Sequence, residues 1–238
     1  MNAIKKIPLF LSFFLLFSCD EFTVTDADIA AGLKSALEFG SKYALKTLGS
    51  EDGFYLDMAV KIGLPQDAAN LVKAAKNTFL SGVIKNLEEE LILTLNRAAE
   101  ASIEGVIPIV INAISNITIQ DAKSILFSSS DIAATNYLHQ NTYDTLTKVC
   151  GAVIEEALTR NIVGNSALDV WKQLTGYYNA VVVLIPSLDP IETNLALYTT
   201  QKALDGVFLK IGIEEKNIRT NVTARKTDLL RKVFGQLD

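Results

Sequence analysis

The run from Gly82 to Ile117, GVIKNLEEELILTLNRAAEASIEGVIPIVINAISNI, constrains the fold more than any other segment. It reads as one long helix whose second half is apolar on nearly every side, and such a helix belongs at the centre of a core. Glu104, Asn112 and Asn116 argue against a membrane span. Gly105 and Pro108 predict an interruption or kink, because proline lacks an amide donor and its ring clashes with the preceding turn.

The rest of the chain is patterned to surround that helix. Asp26 or Asp28 is placed to cap a first helix running to about Leu48, with Ile29, Leu33, Leu37, Tyr43 and Ala44 on its apolar side and Gly49 as its stop. A loop containing EDGF leads to Leu64 and Pro65, and Pro65 suits the first turn of a second helix carrying Ala69, Leu71, Val72 and Ala75. Ser130 and Asp131 open a helix to about Arg160, striped by Leu146, Val149, Cys150, Val153, Ile154, Ala157 and Leu158. Gly164 ends that excursion, and Ser166 with Asp169 resembles a capping box. AVVVLIP, at Ala180 to Pro186, is the one β-branched cluster; with no partner strand it reads as a helix end or buried connector. After Pro186 and Pro190, a helix spans about Leu195 to Arg219, and a last amphipathic one starts near Thr223. With no repeat or dividing linker, the expectation is an all-α protein: a single multi-helix domain, a helical array or bundle, over residues 26–238.

The N-terminus carries an address. Lys5 and Lys6 precede an apolar run from Ile7 to Phe17, then Ser18 and Cys19, which is the layout of a secretory signal and too short for a permanent span. Leu16, Phe17, Ser18 and Cys19 resemble the lipobox of bacterial lipoproteins. The expectation is a lipoprotein signal peptide at 1–18, lipidation of Cys19, and a tether over residues 19–25 that holds the domain against an envelope membrane, facing the periplasm; the leaflet is open. The six residues DEFTVT reach roughly 20 Å when fully extended, which keeps the body near the bilayer.

Removing residues 1–18 from 238 leaves 220 residues, and losing Lys5 and Lys6 takes the net charge from −5 to −7. That balance argues against nucleic-acid binding, which needs a clustered basic footprint. With Cys19 acylated, Cys150 is the sole remaining thiol, so no internal disulfide forms and packing must carry the fold.

Three separated blocks carry a family likeness. LNRAAE at Leu95 to Glu100, with Pro108, Asp121, Ala122 and AATNYL at Ala133 to Leu138, forms the central part. QKALDGVF at Gln201 to Phe208, EEKNIR at Glu214 to Arg219 and ARKTDLLRKVFG at Ala224 to Gly235 form the C-terminal part, and KIGLP at Lys61 to Pro65 joins them. Together they resemble the bacterial envelope family designated domain of unknown function 4197. That resemblance implies an envelope location and a helical domain, and it carries no catalytic role to any residue.

The residues themselves provide few candidates for chemistry. One histidine, His139, and a cysteine in an apolar stripe do not make a metal site, and the helical rise between His139 and Cys150, roughly 16 Å, excludes a nucleophile–base couple. No phosphate loop, nucleophile elbow or zinc-protease helix occurs, so neither cofactor nor metal is expected. Glu88, Glu89 and Glu90 read as a solvated face, as do Glu155 and Glu156 beside Arg160. Glu215 and Arg219 have the spacing of a helical ion pair worth about 0.2–0.5 kcal/mol. The polar set that stands out is Asn96, Arg97 and Glu100 within a small-residue segment, joined by Lys202 and Asp205: a buried structural network, surface pairs, or a ligand site.

The leading expectation is a membrane-anchored, non-catalytic binding or scaffolding module that meets another envelope protein. A carrier of lipid or other hydrophobic ligand is a second reading, with VIPIVINAI and AVVVLI lining a pocket. An enzyme using Arg97, Glu100 and Asp205 is the third.

Finally, the last helix sets Leu229, Leu230, Val233, Phe234 and Leu237 on one face while Arg225, Lys226, Arg231 and Lys232 gather elsewhere. Its apolar face is expected to dock on the helical body; lying on anionic headgroups is the alternative.

Overall fold

The computed structural model describes residues 23–75, 81–160, 166–182, 190–191 and 193–238. These form an all-α domain of eight α-helices, with no strand among the described residues: α1 Asp26–Leu48, α2 Gln66–Ala75, α3 Ser81–Ser115, α4 Ile119–Leu126, α5 Ala133–Thr159, α6 Ala167–Val182, α7 Leu195–Thr220 and α8 Asp228–Phe234. Single 3-10 turns follow at Val222–Ala224 and Gly235–Leu237. The signal segment and Cys19 lie outside the described residues, as do Gly164 and the end of AVVVLIP from Val183.

Three helices start on the same device. Thr25 Oγ1 accepts from the Asp28 amide at 3.1 Å while the Asp28 carboxylate accepts from the Thr25 amide at 2.9 Å. Thr118 with Asp121 repeats the exchange at α4, and Ser166 with Asp169 at α6. Each box satisfies two amides that the first turn leaves without partners. Thr25, not Asp26 or Asp28, is therefore the cap of α1, and Asp28 is its reciprocal partner. The bonds from Thr25, with Lys232 beside it, hold the Asp28 carboxyl down at about 2.

The long helix takes the central place its composition demands. α3 packs against α1, α5, α6 and α7, and Leu91, Leu95, Ile103, Val106, Val110 and Ile114 are buried. Its span from Lys85 to Ser115 is long and apolar enough to cross a membrane, yet these side chains are covered by helices. The helix continues unbroken through Gly105 and Pro108, so of the interruption or kink expected there the interruption does not occur. Pro108 is exposed, as is Glu104, whose carbonyl loses its bond to position 108 on the solvent side. Gly105 serves contact: a Cβ there would stand 2.9 Å from Val149 Cγ1, so its absence lets α5 approach.

α5 packs on α3 and α7 with Leu146, Cys150, Ile154 and Leu158 of its predicted stripe buried, Val149, Val153 and Ala157 half-buried beside them, and Leu138 extending the line. Its first turn begins at Ala133, and neither Ser130 nor Asp131 caps it. Tyr43 is 59% exposed, away from the apolar face assigned to it. At the C-terminus, α8 starts at Asp228 under a Thr227 cap, later than Thr223. Leu230, Val233 and Phe234 are buried against the body, and Lys232 pairs with Asp28 at 3.0 Å. The apolar face of α8 is docked, chiefly on α1.

Candidate functional site

The polar set in LNRAAE faces a connection, Gly49 to Pro65, that has no regular structure and joins α1 to α2. Three side chains of α3 hold that connection. Asn96, fully buried, accepts from the Ile62 amide at 2.9 Å and donates to the Ile62 carbonyl at 2.8 Å and the Ile92 carbonyl at 2.7 Å. Its amide copies the pairing of an extended strand, so Ile62 is satisfied at both polar atoms. Glu100 accepts from the amides of Phe54 and Tyr55 at 3.1 and 3.4 Å and from Arg97 at 2.7 Å. Arg97 reaches across to Asp52 at 2.8 Å and Glu51 at 3.5 Å. Glu100, then Asp52, raise the pKa of the guanidinium further and keep it charged.

Asp52 adopts φ 65°, a conformation that few residues other than glycine accept and that Asp tolerates better than most. Gly53 follows because a Cβ there would lie 2.3 Å from the Thr47 carbonyl oxygen. The turn drives Phe54 into the core, where it is fully buried. Farther on, Lys210 of α7 pairs with Asp57 and lowers its pKa, Lys61 sits 3.9 Å over the Tyr55 ring, and Tyr198 donates to the Gly63 and Leu64 carbonyls. The loop is thus clamped from α3 and α7, while Leu56 and Met58 project 67% and 83% exposed.

Lys202 and Asp205 do not join this network. They pair with each other at 3.2 Å on the exposed face of α7. Asn96, Arg97 and Glu100 come together, and apart from the pair that Arg97 and Glu100 make with each other their bonds go to backbone or to the loop's own acids.

Sequence reasoning read Glu215 and Arg219 as an ion pair and Arg225 as a surface cation, and it missed that all three are buried. Glu215 and Arg219, 3% and 4% exposed, form a pair at 2.9 Å that joins two helix ends. The carboxylate accepts from the amides of Ala134 and Thr135 and the Thr135 hydroxyl, capping α5 from outside; the guanidinium donates to the Ile125 and Leu126 carbonyls that end α4. Arg225, 2% exposed, donates to the Ile218 and Arg219 carbonyls at the end of α7 and grips Asp238 through two bonds. It leaves the basic surface cluster expected of the last helix. By contrast Glu156 with Arg160 and Lys85 with Glu89 are exposed pairs.

His139 stacks between Tyr143 and Phe208, each centroid 4.6 Å away. Cys150 is buried, and burial pushes its thiol up to about 11, the Ser102 hydroxyl opposing weakly. No group of three or more metal-ligating side chains occurs among the described residues. VIPIVINAI packs into the core through Val106, Val110 and Ile114, and the second half of AVVVLI, from Val183, lies outside the described residues.

A family model described as protein of unknown function (DUF4197) matches residues 23–235. No curated protein and no solved structure matches the chain.

Proposed function

Because the chain belongs to the DUF4197 family, for which no activity is implied, we propose a function from its geometry: a non-catalytic binding or scaffolding module of the bacterial envelope, anchored by lipid on Cys19 and facing the periplasm. The loop at 49–65 is its recognition surface. One observation carries this reading: an irregular connection of that length is clamped by Asn96, Arg97, Glu100, Tyr198 and Lys210 while it exposes Leu56 and Met58. Long irregular connections within compact domains are usually functional. A rigidly held apolar tip suits binding because little ordering entropy is lost on contact. Position supports it too. α1 has 23 residues, so about 34 Å of helix separates the end nearest the tether from the end that opens the loop.

A photo-crosslinking side chain installed at Met58, with another at the exposed Lys148 as control, tests the reading in intact cells. A discrete adduct from position 58 alone is expected, and Leu56→Ser placed beside the crosslinker should reduce it. Equal labelling from both positions, or none from position 58, rejects the loop as the binding surface. The anchor is tested separately by the intact mass of the mature chain, which must carry acyl groups on Cys19.

A further inference from the structure

A second surface stands apart from the loop. The contacts Gly40 with Glu214 and Phe54 with Gly206 show that α1 and α7 run antiparallel. Between them lies a groove of about 310 Å3 whose walls include Phe39, Tyr43, Glu214, Asn217, Asn221 and Lys226.

Phe39 and Tyr43 are one helical turn apart and 55% and 59% exposed. A single exposed aromatic needs no explanation, but these two flank a carboxylate that lacks a partner. Glu214 makes no hydrogen bond or ion pair among the described residues. The cation nearest in influence, Lys210, is paired with Asp57. Gly40 favours the depth of the acid: a Cβ there would stand 3.1 Å from Glu214 Cβ, a tight contact that glycine avoids as the acid settles onto α1. That partial burial raises the Glu214 pKa, and Lys210 opposes the rise. A half-buried carboxylate beside two aromatic faces is complementary to an ammonium group, which gains from both the ring quadrupoles and the charge.

The other end of the groove has the opposite sign. Lys226 lies beyond the end of α7, about 10 Å of helical rise separating Glu214 from Asn221 on the way there, and it has no partner among the described residues. Asn217 accepts from the Asn221 amide through its oxygen, so its own amide remains a donor into the groove.

We propose that this groove binds a phosphorylated amino alcohol, the ammonium resting on Phe39, Tyr43 and Glu214 and the phosphate meeting Lys226 and the Asn217 amide. This is the chemistry shown by the headgroup of a zwitterionic phospholipid and by the same compound free in solution. The site needs neither the loop at 49–65 nor the lipid on Cys19, so it stands or fails independently of the function proposed above.

The test is an NMR titration of the purified protein with phosphoethanolamine, and with ethanolamine and glycerol phosphate as its two halves. Saturable shifts of the Tyr43 ring are expected with phosphoethanolamine, and affinity about tenfold weaker for either half. Glu214→Gln and Phe39→Ala should each weaken binding about tenfold, and Lys226→Gln should weaken phosphoethanolamine while leaving ethanolamine unchanged. All three sites are exposed or half-buried, and an unchanged melting curve shows that each variant is folded. No saturable shift, or equal binding by Glu214→Gln, overturns the site. Sedimentation with phosphatidylethanolamine vesicles, comparing Cys19→Ala with Cys19→Ala carrying Glu214→Gln, identifies the source: a loss in the second chain assigns the membrane headgroup, and no difference assigns the free solute.

Discussion

Glu215→Ala should lower the melting temperature by roughly 6–20 °C, although sequence alone assigns its ion pair a few tenths of a kcal/mol. The carboxylate accepts four bonds, from the Ala134 amide at 2.9 Å, the Thr135 amide at 2.7 Å, the Thr135 hydroxyl at 2.8 Å and Arg219 Nε at 2.9 Å. Its removal leaves Arg219 buried with carbonyl oxygens alone as partners and leaves two amides at the start of α5 without acceptors. Breaking a buried pair by deleting one member costs about 3–5 kcal/mol, and each orphaned amide about 1–3. These penalties overlap because they describe the same site, so about 3–5 kcal/mol is the working figure. For a chain of this size each kcal/mol moves the melting temperature by about 2–4 °C, which gives the range above.

Thermal and urea unfolding followed by circular dichroism measure the loss, and an internal control accompanies them. Glu156 and Arg160 have the same residue types at the same spacing but are 66% and 67% exposed. Glu156→Ala should therefore cost no more than about 0.5 kcal/mol. Glu215→Leu combined with Arg219→Met should be less destabilised than the sum of the two single changes, because the apolar pair strands no charge. If Glu215→Ala and Glu156→Ala melt alike, the external cap on α5 contributes nothing and the reasoning fails.

Asn96→Ala removes both partners of Ile62, and at about 1–3 kcal/mol for each group left unpaired it should destabilise the domain and speed proteolysis within residues 49–65; resistance equal to the unaltered protein would show that the loop holds without it. Gly53→Ala sets a Cβ 2.3 Å from the Thr47 oxygen and 2.6 Å from the Leu48 oxygen, backbone atoms that cannot turn aside, so a cost of about 1–3 kcal/mol or more should appear as a lower urea midpoint. For Cys150, with a thiol raised from 9.0 to about 11, the folded state favours the protonated form; its contribution is complete below pH 9 and is lost as the pH rises through about 11, so Cys150→Ala should reduce the alkaline fall in a pH series of urea melts by about 2–3 kcal/mol, leaving the share of Tyr137, Tyr143 and Tyr198, which burial also raises. Deleting residues 222–238 from Cys19→Ala protein should lower the melting temperature with no membrane present, since Leu230, Val233 and Phe234 supply about 1.5–3 kcal/mol each when buried; an unchanged melt, with vesicle binding lost, would reverse the docking of α8.

Seven of the eight described helices, the central place of α3 and the stripe on α5 were legible because apolar periodicity is a local property that burial obeys directly; α4 went unread, since eight residues are too few to show that period clearly. Asn96 and Glu100 were legible as a set for a related reason: polar side chains among Ala98 and Ala99 mark a helix surface that another backbone can approach. What they hold was not legible, since the Gly49 to Pro65 loop contacts them across more than thirty residues of sequence. Lys202 and Asp205 were grouped with them because both sets lie in the blocks that carry the family likeness, and the outward face of α7 separates them.

The ionic residues show where local reading ends. Glu215 with Arg219 and Glu156 with Arg160 are the same pattern on a helix, and the difference between a buried brace and a solvated pair lies wholly in what stands opposite. For Glu215 that is the uncapped start of α5 and the end of α4, two sets of unpaired backbone groups brought together by the fold. Arg225 follows the same logic. Counted with its neighbours it belongs to a basic surface, but the chain reverses after α7, and the terminal carbonyls of that helix and the Asp238 carboxylate enclose its guanidinium. A helix end that lacks a local cap recruits its partner from elsewhere in the chain, so the charged residue that serves it can be recognised only once the helices are in place. α5 shows this: Ser130 and Asp131 suggest a local start, but its first turn has no side-chain cap of its own and takes Glu215 from α7 in that place.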